Sequence, residues 1–159
     1  MGKLLLMHPE KCVGCRTCEI VCSLTHADIC NPASARISVV KYEQLGINLP
    51  LTCANCEDPV CTAVCPTGAL SRQGDRVEID YDSCVGCRMC VMACPVGGVS
   101  FDPVTRHVIK CDQCGGDPQC VKFCPQGAIE YVDEDALAPR ARRNAAERLL
   151  ALIGPGGER

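Results

Sequence analysis

Apolar and polar residues alternate along three short stretches of this chain: "RISVVKY" at 36–42, "DRVEIDY" at 75–81 and "RHVIK" at 106–110. Each predicts a β-strand with one face toward a core. Gln73-Gly74-Asp75 and Asp102-Pro103 mark turns beside them. A longer helix is predicted in the tail, "DEDALAPRARRNAAERLLALIGPGGER". There Pro139 suits a helix start, four arginines lie between 140 and 148, Leu149, Leu150, Leu152 and Ile153 follow, and Gly154-Pro155 stops it. The tail reads either as a helix packed on the core or as a docking arm whose basic face suits another subunit or a second copy of the chain.

Composition shows what must hold such short elements together. Hydrophobic residues reach 47%, but 17 cysteines inflate the figure, aromatics are 3% and tryptophan is absent. Large core side chains are scarce, so disulfides or metal are needed as staples. No long basic run accompanies the net charge of −3, which argues against a nucleic-acid track. No stretch approaches the ~18–20 apolar residues of a membrane span. Only Leu4 to Met7 form an apolar run before His8-Pro9, too short for the core of an export signal. A cytoplasmic, metal-bound chain is therefore expected rather than a disulfide scaffold, and the odd cysteine count argues the same way.

Sixteen of the cysteines fall into four runs, with Cys30 left over. They are Cys12, Cys15, Cys18, Cys22; Cys53, Cys56, Cys61, Cys65; Cys84, Cys87, Cys90, Cys94; and Cys111, Cys114, Cys120, Cys124. Sixteen thiolates match the needs of four [4Fe–4S] clusters at four ligands each. Sulfurs three residues apart on a curled loop can face one centre, and the following three-residue gap begins a helical turn that carries the fourth sulfur toward a neighbouring centre. Proline follows Cys65, Cys94 and Cys124 and sets the direction of the exit; Ser23 follows Cys22 and is expected to loosen it. Gly68 and Gly127 suit a turn of positive φ into a strand. Zinc knuckles are the competing reading. They would use separated cysteine pairs and often histidine, whereas His8, His26 and His107 lie outside the runs.

The first and third runs share C-V-G-C-R, and the second and fourth share the D-P turn and C-P-x-G-A, so two related halves are expected at about 12–70 and 84–129. With these motifs, residues 3–131 resemble the four-cluster, polyferredoxin-type subunits of the dimethyl-sulfoxide-reductase iron–sulfur class. Within it, "CDQCGGDPQCVKFCP" is most similar to the small electron-transfer subunit of tungsten-dependent aldehyde oxidoreductases. The resemblance implies crossed ligation. One cluster would use Cys12, Cys15, Cys18 and Cys124, and its neighbour Cys111, Cys114, Cys120 and Cys22. The inner pair would use Cys53, Cys56, Cys61 with Cys94, and Cys84, Cys87, Cys90 with Cys65. It also implies partners: a large catalytic oxidoreductase subunit, and a flavin- or NAD-linked subunit or soluble ferredoxin, in anaerobic metabolism.

The expected architecture is α+β, a duplicated bacterial-ferredoxin-like core with short β-hairpins and one-turn helices. Residues 1–132 would form the cluster domain, with an inner pair at 53–101 and an outer pair from 12–30 with 111–129; residues 133–159 would be a helical tail. Val13 and Val85 are candidates to shield a cluster, Gly14 and Gly86 to admit backbone N–H groups, and Arg16 and Arg88 to offset cluster charge. Cys30 reads as a free thiol. No dinucleotide fingerprint, phosphate loop or nucleophile–base pair is present, so substrate chemistry would belong to a partner. The alternatives are a polyferredoxin serving a molybdenum enzyme, hydrogenase or other reductase, and a zinc-stabilised interaction module.

Overall fold

The computed structural model describes residues 2–153. Its strands form separate two-stranded antiparallel ladders rather than one sheet. β1 (Lys3–Met7) pairs with β8 (Ile129–Asp133), Lys3 opposite Asp133, and so joins the two ends of the body. β2 (Ile37–Tyr42) pairs with β3 (Ile47–Thr52), β4 (Leu70–Gln73) with β5 (Arg76–Ile79), and β6 (Val99–Phe101) with β7 (Val108–Lys110). The three alternating stretches of the sequence lie in β2, β5 and β7. β1 escaped that pattern because its apolar run does not alternate, and β3 because it contains Pro50.

The turns follow local chemistry. Gly74, at φ 63°, opens the two-residue turn between the paired Gln73 and Arg76, where positive φ matches the twist of the strands. Between β6 and β7 the Asp102 carboxylate accepts from the Val104 N–H (2.9 Å) and Thr105 Oγ1 (2.8 Å). It also accepts from Ser34 Oγ at 2.8 Å, which ties this hairpin to the N-terminal half of the protein.

Each run of cysteines feeds a short helix: α1 (Thr17–Ala27), α2 (Val60–Ala63), α3 (Met89–Ala93) and α4 (Gln119–Lys122). The last three are stopped near a Cys-Pro pair. In α1 the residue after Cys22 is Ser23, which is fully buried, donates to Ile20 O (3.0 Å) and accepts from the Asn31 N–H (3.2 Å). The expected loosening is thus corrected: without proline the helix runs on, and Ser23 pins the loop beyond it.

α1 packs on α4 and α2 on α3. Two small cores result. One gathers Cys18, Cys22, Ala35, Ile37, Val39, Cys120 and Ile129; the other Leu70, Val77, Cys90, Val99 and Val108. Cysteine sulfur supplies a share of both, as the scarcity of large side chains requires. α5 (Leu137–Ile153) differs: its described side chains are mostly exposed, Leu149 at 58% and Leu150 at 66%, and Arg140 Nη2 reaches Glu130 Oε2 at 2.7 Å. Packing on the core is not what these residues show. Gly154-Pro155 lies outside the described residues.

Candidate metal centres

The residue before the second cysteine of every run has a left-handed backbone: Gly14 (φ 67°), Asn55 (47°), Gly86 (68°) and Gln113 (57°). That turn curls each loop so that its sulfurs and N–H groups converge on one side. Glycine and asparagine adopt it readily; glutamine does so at more cost. Arg16 (φ 60°) and Arg88 (φ 62°), one residue after the second cysteine, are left-handed too and open α1 and α3.

Backbone donors already point at several sulfurs. Asn55 N–H donates to Cys53 Sγ (3.4 Å), and Gln113 N–H to Cys111 Sγ (3.3 Å). Gly98 N–H and Ala128 N–H each reach the sulfur four residues earlier, Cys94 and Cys124, at 3.3 Å. The positive φ of Gly97 and Gly127 turns the backbone toward those sulfurs. Arg36 N–H donates to Cys22 Sγ at 3.2 Å. Gly98 also has no room for a side chain, since a Cβ would lie 2.5 Å from Cys53 Cα.

The cysteines meet across runs. Cys12, Cys15, Cys18 and Cys124 line one cavity; Cys84, Cys87, Cys90 and Cys65 a second; Cys111, Cys114, Cys120 and Cys22 a third. Of the remaining four, Cys61 and Cys94 pack against the same apolar core, and Cys53, Cys61 and Cys94 are near enough to interact electrostatically. Cys56 follows Cys53 round the Asn55 turn. Val13 and Val85 each line the cavity beside their cysteines while remaining 59% and 69% exposed. Arg16 and Arg88 line the same cavities; Arg16 Nε lies 3.9 Å from Glu19 Oε2, and the Arg88 guanidinium stacks 3.5 Å over the Phe101 ring. Cys30 is exposed and lies outside these groups.

Burial governs the acidity of these thiols. It pushes Cys18 up to about 12 and Cys22 to about 11, and raises Cys120 further. Cys53, Cys61, Cys90, Cys111 and Cys114 are raised for the same reason, with the Lys110 ammonium pulling Cys53 the other way. Cys15 is lowered, because Thr17 Oγ1 donates to its sulfur at 3.4 Å. A thiol raised by burial keeps its proton unless a metal takes the proton's place. Four converging soft thiols per cavity suit iron–sulfur clusters, and the buried Asn55 Nδ2, without a partner among the described residues, leaves one more donor in a ligand loop. The residues present fit the group.

Two neighbours were not legible as site residues. His26, on α1, has Nε2 3.5 Å from Cys114 Sγ and 3.5 Å from Asp112 Oδ1, and burial lowers its pKa. Arg36 Nη1 meets Asp112 Oδ2 at 2.6 Å. Neither is near Cys114 in sequence. Asn55 had a signal: it stands between two cysteines where the first and third runs carry glycine.

Comparison with known proteins places these loops in context. A model of the "4Fe-4S dicluster domain" matches residues 44–134, and one of the "4Fe-4S binding domain" matches residues 9–25. Electron transport protein HydN of Escherichia coli (strain K12) is 38% identical over 117 residues, 69% of this chain and 65% of that protein. The polyferredoxin-like subunit of an aliphatic sulfonate oxidoreductase from Pyrococcus furiosus is 44% identical over 93 residues, 57% of this chain and 53% of that one. The B subunit of the anaerobic dimethyl sulfoxide reductase of Escherichia coli (strain K12) is 37% identical over 117 residues, 64% of this chain and 56% of that one. The protein thus spans between about half and just under two thirds of these relatives. Among solved structures, one polypeptide of the BamBC active-site complex of benzoyl coenzyme A reductase with 1,5-dienoyl-CoA matches with a TM-score of 0.51 and 30% identity, over 82% of this chain and 75% of that one.

Proposed function

The protein belongs to the 4Fe-4S dicluster domain family, and on that premise we propose that it is a non-catalytic electron-transfer subunit carrying four [4Fe–4S] clusters within an oxidoreductase complex. The observation that carries the reading is the meeting of three cysteines from one run with the fourth of another around single cavities. The ligand sets are Cys12, Cys15, Cys18, Cys124; Cys111, Cys114, Cys120, Cys22; Cys53, Cys56, Cys61, Cys94; and Cys84, Cys87, Cys90, Cys65. Residues 1–132 form the cluster domain, and 133–159 a tail. A bound cluster supplies one-electron chemistry at a potential tuned by its surroundings.

The protein's own residues do the rest. Cys18 and Cys22 sit one helical turn apart on α1, so that helix fixes the spacing between two neighbouring sets. The N–H groups of Asn55, Gln113, Gly98, Ala128 and Arg36 offset negative charge on the sulfurs they face. The small aliphatic cores keep water from the buried thiolates.

The partner that acts on substrate is another subunit. The names of HydN, of the polyferredoxin-like subunit and of the dimethyl sulfoxide reductase subunit support a place in such complexes. On the finer reading that partner is a tungsten-cofactor aldehyde oxidoreductase; a molybdenum enzyme, hydrogenase or other reductase is the second reading, and the likeness to the sulfoxide reductase subunit favours a reductase. Elemental analysis of tagged protein, purified anaerobically from its host with whatever accompanies it, tests both. About 16 iron atoms per polypeptide with tungsten is the expected result. Molybdenum or nickel instead keeps the relay and changes the enzyme it serves. Zinc without iron overturns the whole reading.

A further inference from the structure

Lys110 ends β7 immediately before Cys111, and only 3% of it is exposed. Lysine is almost never buried so far unless paired. The hydrogen-bond partners of this ammonium among the described residues are neutral: it donates to Cys111 O (2.9 Å), Asn55 Oδ1 (3.0 Å) and Val77 O. All three of its protons are used. The acceptors come from three places in the fold: the loop between Cys53 and Cys56, strand β5, and the start of the fourth run. Asn55 Oδ1 also lies 3.7 Å from Cys53 Sγ, so one atom separates the charge from a candidate ligand of the inner pair. Cys111 is itself a candidate ligand of the outer pair.

A neutral donor could tie these segments together without the desolvation cost of a buried charge. What offsets that cost is negative charge nearby, which thiolate-bound clusters carry. We infer that the Lys110 ammonium, lodged between the Cys53, Cys56, Cys61, Cys94 set and the Cys111, Cys114, Cys120, Cys22 set, raises the reduction potential at this junction and makes its two flanking centres the resting place of an electron crossing between the pairs. The inference rests on the four-cluster reading above. A fixed positive charge favours whichever state of a neighbour is more negative, here the reduced one. Lys110 is a positioning residue in this scheme: it shapes the energy of the path without touching a substrate.

The test is an anaerobic redox titration of the full-length, iron-loaded protein followed by electron paramagnetic resonance. Lys110→Gln keeps a donor and removes the charge, whereas Lys110→Arg keeps the charge. In the glutamine variant two of the four midpoint potentials fall and the other two stay; in the arginine variant all four stay near wild type. Unmoved potentials in Lys110→Gln, a fall spread evenly over four clusters, or equal falls in both variants overturn the inference. Should the glutamine variant fail to load, the wild-type protein decides: two clusters reduced ahead of the other two support it, and four that titrate together overturn it. Wild-type protein without iron sinks the cluster reading and this inference with it. Full iron with unmoved potentials sinks this inference alone.

Discussion

Single residues in these loops are chosen for where the backbone must go. Gly14 and Gly86, which the sequence marks as sites where backbone N–H groups can approach, take left-handed turns; Asn55 and Gln113 adopt the same turn with side chains attached. Gly98 answers a different need. An added Cβ there would meet Cys53 Cα at 2.5 Å and Thr52 O at 2.9 Å, both backbone atoms that cannot swing aside. Gly98→Ala should therefore cost about 3 kcal/mol by forcing two segments apart, read as a lower denaturation midpoint and fewer bound irons. Gly86→Ala, with open space around its Cβ and only a left-handed φ to tolerate, should cost about 1 kcal/mol and keep its iron. Equal losses in the two variants would contradict this account of Gly98.

Among the elements, the β6–β7 hairpin and α5 stand at opposite extremes of attachment. Burial pushes Asp102 up, but bonds from Thr105, the Val104 N–H and Ser34 outweigh it and hold the carboxyl below its ordinary value of 3.8. A carboxylate depressed in the folded state contributes stability above its unfolded value and loses it as pH falls through the folded one. Asp102→Asn should accordingly show a shallower loss of stability below about pH 4 than the wild type, measured as denaturation midpoint against pH. A parallel acid limb in both proteins would show that the hairpin is held by other means. α5 is tied to the body through the Arg140–Glu130 pair, and the described side chains beyond it are exposed. Exposed ion pairs contribute about 1 kcal/mol or less, so truncation after residue 136 should leave the iron content and thermal midpoint of the body nearly unchanged. A large drop would reveal packing by the tail.

For the whole molecule, the buried cores are built partly from the proposed ligands themselves, Cys18, Cys22 and Cys120 in one and Cys90 in the other. Removing iron should expose mutual repulsion and empty space together. Chelation is expected to abolish near-ultraviolet circular dichroism and bring rapid proteolysis of the body; an iron-free protein that keeps fixed tertiary structure would detach folding from metal. Cysteine number and spacing alone name the chemistry on offer, soft thiols in runs of four. Cysteine spacing depends on local curl, so sixteen candidate ligands, the turns at Gly74 and Asp102, and the strands in β2, β5 and β7 could all be read without coordinates. Distance along the sequence decided the remainder. Ser34 lies 68 residues from Asp102, His26 88 from Cys114, and Lys110 55 from Asn55, and no local pattern encodes such meetings. The family resemblance already implied that Cys124 joins the Cys12 run, and the structure places both in one cavity. The burial of the Lys110 ammonium among Asn55, Val77 and Cys111 came from the tertiary structure alone, because burial depends on what folds around a residue.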